Sequence, residues 1–411
     1  MKVSLFTMPT VPATTEERAR LRPIGRNAER YTMMIEELRE LAVLADGLGF
    51  DAFSTTEHHF HTEGGEALPN TLLLYAHLAA ITKDIMFIPM SMVLPANDPI
   101  RVAEDVALFD QMYPGRIGVA FARGYQRRWV PVLSQRDDAI AFGDKGADDM
   151  VREIYNEYLE VVIKAWTEDA FEFNGKHYQV PYPHEGITGW AGKDWTNAYG
   201  APGELDEDGV IRKIGVVPKP VRTPYPRLFV PANVSPQTVI SAAQQGVTPI
   251  FHEGRVAPLT GLMELYRDEA AKAGHDLAIG ERIAVLRTIC LGDTYEEAFD
   301  FATRTIGYEY HNYFNEFGFA ELYRTDADDP DLPMRFNDEA DATQRMIETG
   351  QILIGTADDV KDQLSELQRC HGDGELEWLV WSHFGQGTTP REESCRQLKI
   401  FAEKVWPAFK D

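Results

Sequence analysis

The sequence predicts a (β/α)8 barrel with insertions at the C-terminal face of its strands. Two observations carry that expectation. Short apolar runs rich in Val, Ile, Phe and Met alternate with segments of helical period, the order expected of repeated βα units, and eight such units can be counted. No glycine-rich GxGxxG follows the first strand, which removes the usual dinucleotide fingerprint of a doubly wound open sheet.

In chain order, strands are expected from Lys2 ("KVSLFTM"), Phe50 ("FDAFSTT"), Ile85 ("IMFIPMSMVL") and Arg116 ("RIGVAFA"). The remaining four begin at Arg227 ("RLFVPA"), Val247 ("VTPIF"), Arg282 ("RIAVLRTICLG") and Glu377 ("EWLVWSHF"). The helix after the first strand carries Ile35, Leu38, Ala42, Ala45 and Leu48 at i, i+3/i+4 spacing, and the helix after the third carries Val102, Val106, Phe109 and Tyr113. Each would bury one stripe against the strands. Helix starts are marked by Asp98 before Pro99, by Ser235 before Pro236, and by the capping boxes "TYEE" from Thr294 and "TPRE" from Thr389. Two stretches break the rhythm, about 170–226 with its acidic "GELDEDG" and about 315–345. Both read as lids or binding loops inserted into one barrel domain spanning 1–411.

Composition narrows the function. The chain has 411 residues, 44% hydrophobic and 26% charged, with no apolar run near the roughly 20 residues that a membrane span needs. Its start, "MKVSLFTMPTVP", lacks an export signal, so a cytoplasmic protein is expected. Cys290, Cys370 and Cys395 are widely spaced and form no CxxC pair, which argues against thiol chemistry. A formal net charge of -25 repels nucleic acid and anionic lipid, so any anionic ligand needs a locally basic pocket.

Three constellations could do chemistry. The stretch "TTEHHFHTEGG" follows the second strand and so lies on the functional face. As a metal site it is weak, even with His252 and His383 at other strand ends, because adjacent His58 and His59 would point to opposite sides of a continuing strand. No metal is expected. As a base, one histidine at a strand end has a proton affinity suited to neutral pH. The plainer alternative is a histidine that caps the loop or packs under the rim.

The second constellation joins Arg123, behind the fourth strand in "VAFARGYQRRW", with Ser235 and Thr238 at the start of the helix after the fifth. Free N–H groups and the positive end of that helix favour a phosphate. The plainer reading is an N-cap at Ser235 and an Arg123 stacked on Trp129 or paired with an acid. The third is "FIPMSMVLP", an apolar, sulfur-rich wall suited to a planar aromatic cofactor, although a Met-rich strand is more often core.

Together with "VLPANDPIRVAEDVALFDQMYPGRI" and "ARG", "PKPVRTPYPRLFVPANVSPQTVISAAQQG", "QILIGTADDVKDQL" and "EWLVWSHFGQGTTPREESCRQLKIFAEKVWP", the stretch "GFDAFSTTEHHF" makes the chain resemble the bacterial luciferase-like flavin-dependent monooxygenases, luciferase's alpha subunit among them. The resemblance implies a barrel that holds reduced FMN from a separate NAD(P)H:flavin reductase. It also implies a flavin C4a-peroxide, formed with O2, that attacks a small organic carbonyl. By position His58 matches the histidine that assists this attack, with Glu57 and His59 as its setting. Arg123, Ser235 and Thr238 match phosphate-binding positions, and Met90–Ser91 falls where relatives have a non-proline cis peptide under the flavin. His59, Trp129 and His252 are candidates for the substrate pocket.

One departure is Ala122, where luciferase's light-emitting subunit has a reactive cysteine, so light emission is not expected. Retention of "EHH" and "ARG" argues against a non-catalytic, beta-subunit-like protein. The expectation is therefore the oxygenase of a two-component FMN system, of Baeyer-Villiger or aldehyde type, and by family habit a homodimer. The alternatives are a deazaflavin-dependent oxidoreductase on the same fold, a metal-dependent barrel hydrolase and a non-catalytic flavin-binding protein.

Overall fold

All eight apolar runs form strands. A computed structural model of the chain describes residues 1–138, 140–141, 145–232, 235–370, 376–383 and 387–410. The strands are β1 (Lys2–Thr7), β2 (Ala52–Thr55), β3 (Met86–Val93), β4 (Gly118–Ala122), β5 (Arg227–Pro231), β6 (Thr248–Phe251), β7 (Ala284–Leu291) and β8 (Trp378–Ser382). Phe384, the last residue expected in β8, lies outside the described residues. Each strand is followed by a helix: α1 (Ala28–Leu48), α2 (Thr71–Ala79), α3 (Pro99–Met112), α4 (Lys145–Thr167), α5 (Pro236–Gln245), α6 (Val256–Lys272), α7 (Tyr295–Ala302) and α8 (Arg391–Ile400). The fold class is a (β/α)8 barrel.

The chain packs as two compact units, Met1–Met90 with Leu228–Asp411, and Ser91–Arg227. In the first, strands pair in parallel in the order β5–β6–β7–β8–β1–β2–β3, with Leu5 opposite Phe53 and Phe6 opposite Ser382. β4 lies in the second. Outer faces are filled by helix-side aromatics: Trp381 packs against Phe50 and Phe401, with centroids 6.3 and 4.8 Å away.

Helix boundaries follow the local chemistry, with corrections. Asp98 caps α3 by accepting the Arg101 N–H, and Gly49 closes α1 in the left-handed region at φ 83°. The buried stripe of α1 is Met34, Leu38, Leu41, Ala42 and Ala45, so Ile35 and Leu48 sit at its margins rather than within it. "TPRE" is no capping box: α8 starts at Arg391 behind Pro390, with no side-chain cap. In "TYEE", Thr294 caps α7, but the Glu297 carboxylate binds the Asp293 N–H instead of returning to Thr294. Reciprocal boxes occur at Thr14 with Glu17 and at Thr356 with Asp359. The Met90–Ser91 bond is not among the cis peptides, which among the described residues all precede proline; β3 runs through it as ordinary extended chain.

A ninth strand, Ile352–Gly355, pairs with the C-terminal half of β7, Ile352 opposite Thr288. Its four apolar residues are too short a run to stand out by period. The 170–226 excursion holds a small hairpin (Phe173–Asn174 with Gln179–Val180), a helix (Lys193–Tyr199) and bridges from Phe171 to Ile214 and Ile187 to Ile211. Stretch 315–345 is ordered by short helical turns, and its last residues belong to the helix Glu339–Glu348.

Candidate active site

The end of β2 is held by one tyrosine. The Tyr75 hydroxyl on α2 accepts the Thr55 N–H at 2.7 Å and donates to the Ile88 carbonyl of β3 at 3.1 Å. Thr55 therefore faces the helices, and strand alternation turns Ser54 and Thr56 to the barrel interior, where Ser54 Oγ meets Ser4 Oγ at 2.8 Å. By the same alternation Ser382 faces inward beside outward Trp381. Buried Thr56 Oγ1 and Ser382 Oγ have no hydrogen-bond partner among the described residues. Two unsatisfied hydroxyls at the C-terminal ends of interior strands mark polar surface suited to a ligand.

After Thr56 the chain leaves the sheet, and the His58 N–H donates to the Leu68 carbonyl at 3.0 Å. The strand does not continue, so His58 and His59 are not opposite faces of it. Glu57 is buried; its Oε2 accepts from Thr71 Oγ1 at 3.2 Å at the start of α2, and its Oε1 lies 3.8 Å from His59 Nε2. Glu57 thus serves α2 and His59 rather than His58. The partner of His58 is Glu66, whose Oε2 lies 2.8 Å from His58 Nδ1.

Glu66 is 4% exposed, and burial alone would raise its carboxyl. The charge and hydrogen bond of His58, the nearby His61 and the Tyr313 hydroxyl outweigh burial and hold it below the usual range, so it stays ionised. Tyr313 Oη lies 3.3 Å from Glu66 Oε2, and His61 Nδ1 lies 2.8 Å from the Gly65 carbonyl. His58, His61 and Glu66 bring one ligand atom each within 4.8 Å of one another, a spacing that a divalent cation could bridge. His58 is held there by Glu66, and His61 by the Gly65 carbonyl next to Glu66.

Tyr313 belongs to a strap of short helical turns that runs on to Tyr323. Tyr313 meets Glu66 behind β2, and Tyr323 Oη meets His252 Nε2 behind β6 at 3.3 Å. β2 and β6 are four strands apart along the sheet, so the strap crosses the strand ends. Buried Asn315 stiffens it by bonding both the N–H and the C=O of Phe336, at 3.1 and 3.0 Å. Burial and the charge of Arg287 push His252 down to about 4, so the ring is neutral at pH 7.

At the α5 start, Ser235 is the N-cap residue, yet its side chain makes no capping bond. The Ser235 hydroxyl is thus not spent on a cap, whereas the Thr238 N–H already donates to the Ser235 carbonyl at 3.0 Å, so what this helix start offers an anion is the Ser235 hydroxyl and the positive end of the helix. In the second unit, Arg123 donates to Asp148 Oδ1 at 2.8 Å, and Arg152 approaches the same carboxylate at 3.3 Å. Of the plain readings of Arg123, the pairing with an acid is the one the structure shows. Trp129 is 1% exposed, donates to Gln126 Oε1 at 2.9 Å and packs with Val93, Ala96 and Val130, which gives it a packing role. Met90 is buried and Ser91 half-buried in β3.

Sequence reasoning misses Glu66, Tyr313, Tyr323 and Arg287. Arg287 is fully buried on β7 and donates to the Glu253 carbonyl at 2.8 Å. A lone cation inside "IAVLRTICL" is a usable signal, as is a charged residue directly after "GG" in the histidine loop. Nothing local distinguishes Tyr313.

The family model for luciferase-like monooxygenases matches residues 1–374. The 3,6-diketocamphane 1,6-monooxygenase of Pseudomonas putida is 26% identical over 342 residues, 80% of this chain and 82% of that protein. The solved oxygenating constituent of 3,6-diketocamphane monooxygenase from the same species, a type II Baeyer-Villiger monooxygenase in complex with FMN, superposes with a TM-score of 0.71 at 23% identity, covering 100% of this chain and 99% of that one. An F420-dependent secondary alcohol dehydrogenase shares the fold at a TM-score of 0.63 and 15% identity, covering 100% and 99%. Fold alone does not separate these cofactors.

Proposed function

The chain belongs to the luciferase-like, flavin-dependent monooxygenases, and we propose that it is the oxygenase component of a two-component FMN system acting on a small organic carbonyl compound. The observation that carries this reading is His58, paired with an ionised buried carboxylate behind β2 in a loop bound by the strap. Sequence likeness to a diketocamphane monooxygenase supports a ketone and Baeyer-Villiger chemistry.

The residues present fit FMN. The α5 start, with Ser235 and Thr238, and the Arg123 guanidinium are the proposed phosphate ligands. Met90, Ser91 and Glu57 are proposed to lie along the ring, and His59 and His252 along the substrate. Reduced FMN, supplied by a separate reductase, would provide the two electrons that activate dioxygen. His58 Nε2, across the ring from the Glu66 bond, would hold or move a proton at the substrate's carbonyl oxygen. The strap would exclude water from that step, so that reducing equivalents are not lost as hydrogen peroxide.

The test supplies reduced FMN, or in parallel a reduced deazaflavin, in air with a cyclic ketone panel, and measures oxygenated product against hydrogen peroxide. Product with FMN only is expected. His58→Ala should keep reduced-FMN affinity within about threefold while losing at least roughly 100-fold in product formation, the low end of what a general acid–base contributes. Normal turnover in that variant would remove the role given to His58, and turnover with deazaflavin alone would remove the oxygenase reading.

A further inference from the structure

We propose that Glu66 is a positioning residue that fixes the His58 ring as its Nδ1–H tautomer, and that Tyr313 holds the carboxylate from the strap. The role served rests on the reading of His58 given above; the geometry does not.

An ionised carboxylate only accepts hydrogen bonds. Glu66 Oε2 lies 2.8 Å from His58 Nδ1, so that nitrogen must carry the proton and donate it. In the neutral ring Nε2 is then an acceptor, and in the imidazolium it becomes a donor whose charge Glu66 stabilises. The Tyr313 hydroxyl donates to the same Oε2 at 3.3 Å. His61 uses its Nδ1–H on the Gly65 carbonyl at 2.8 Å, which leaves it no proton there for Tyr313, 3.5 Å away, and points the tyrosine proton to Glu66. The donors and acceptors form a consistent set.

The backbone gives an independent sign that the carboxylate is what position 66 requires. Glu66 has φ 46°, in the left-handed region, where Gly or Asn would be unstrained and Glu costs about 1 kcal/mol. Two glycines precede it, yet the strained place is held by a long acidic side chain turned into a buried site. Phe60, at φ 64°, strains the same loop six residues earlier. Sharp bends at both places return Glu66 toward His58, eight positions away in sequence.

Other titratable groups near the pair are His61 and Tyr313, while Glu57 and His59 are engaged with α2 and each other. A purely structural ion pair would predict lost stability and nothing else. A positioning role predicts that the proton moves within the ring.

The experiment records histidine 15N shifts in the ligand-free protein for wild type, Glu66→Gln and Glu66→Met, with each variant's fold checked by its thermal melt. Wild type and Gln should show His58 protonated at Nδ1, because an amide oxygen can still accept. Met offers no comparable acceptor, and the signal should shift to predominantly Nε2–H, as in free histidine. A folded Met variant that keeps Nδ1–H overturns the proposal, as does a wild type that is Nε2–H. Should the Met variant not fold, Glu66→Ala, which likewise offers no acceptor, decides by the same readout: predominantly Nε2–H is expected, and a folded Ala variant that keeps Nδ1–H overturns the proposal. Absence of oxygenation by the wild type with reduced FMN would sink the functional reading and leave the nitrogen assignments standing, so the two failures are distinguishable.

Discussion

His58 is legible in the chain because its position after an apolar run places it on the loop side of the strand. Its partner is not. Glu57 and His59 are neighbours in sequence, but the turn after Thr56 sends Glu57 to α2 and brings in Glu66 from eight residues on. Ser235 shows the reverse case, since the residues mark a helix start and only the geometry shows that its hydroxyl does not cap it. That difference makes a clean prediction. Ser235→Ala should change unfolding free energy by less than about 0.5 kcal/mol, because no cap is lost, whereas a capping serine would cost about 1. Reduced-FMN affinity should fall several-fold in the same variant, read by fluorescence or calorimetry. A large stability loss with unchanged affinity would make Ser235 a structural residue and remove it from the phosphate site.

At the scale of elements, the strands are legible because apolar runs of this length leave few alternatives, and the helices because their stripes repeat. What fails is fine placement, as with the α8 start and the margins of the α1 stripe, where the angle at which a helix meets the sheet decides which residues are covered. Composition marks 315–345 as an insertion, which leaves out Tyr313 at the head of the strap; the strap's order comes from Asn315, which stands in for a backbone partner to Phe336. Asn315→Ala would leave a buried N–H and C=O unpaired and should cost roughly 2 kcal/mol in urea unfolding. With the strap loosened, hydrogen peroxide per reduced FMN consumed should rise while flavin affinity holds. Unchanged coupling in a destabilised variant would separate the strap from water exclusion.

For the whole molecule, acid stability follows from buried rings. Burial and the Arg287 charge push His252 from 6.5 down to about 4, and burial pushes His383 down equally against the opposing Glu393. Between those values the unfolded chain binds protons that the fold does not, so stability is present above pH 6.5 and lost as pH falls toward 4, by at most roughly 3 kcal/mol per ring. Glu37 acts oppositely: burial raises it to about 7, so the folded chain holds the extra proton, and its contribution is present below 4.5 and lost as pH rises through 7. Two rings against one carboxyl predict a lower melting temperature at pH 5 than at pH 7.5. His383→Gln should reduce that drop, and an equal drop in wild type and variant would show that this ring is not its source.

By itself the sequence determined the eight-unit barrel, and placed a histidine behind one strand and a helix start behind another, because periodicity and strand-end position are local properties of the chain. Tertiary structure alone decided which carboxylate meets that histidine and which tyrosine, 247 positions from the carboxylate, reaches it. Those pairings depend on how a loop turns and where a strap crosses, and no period in the chain encodes either.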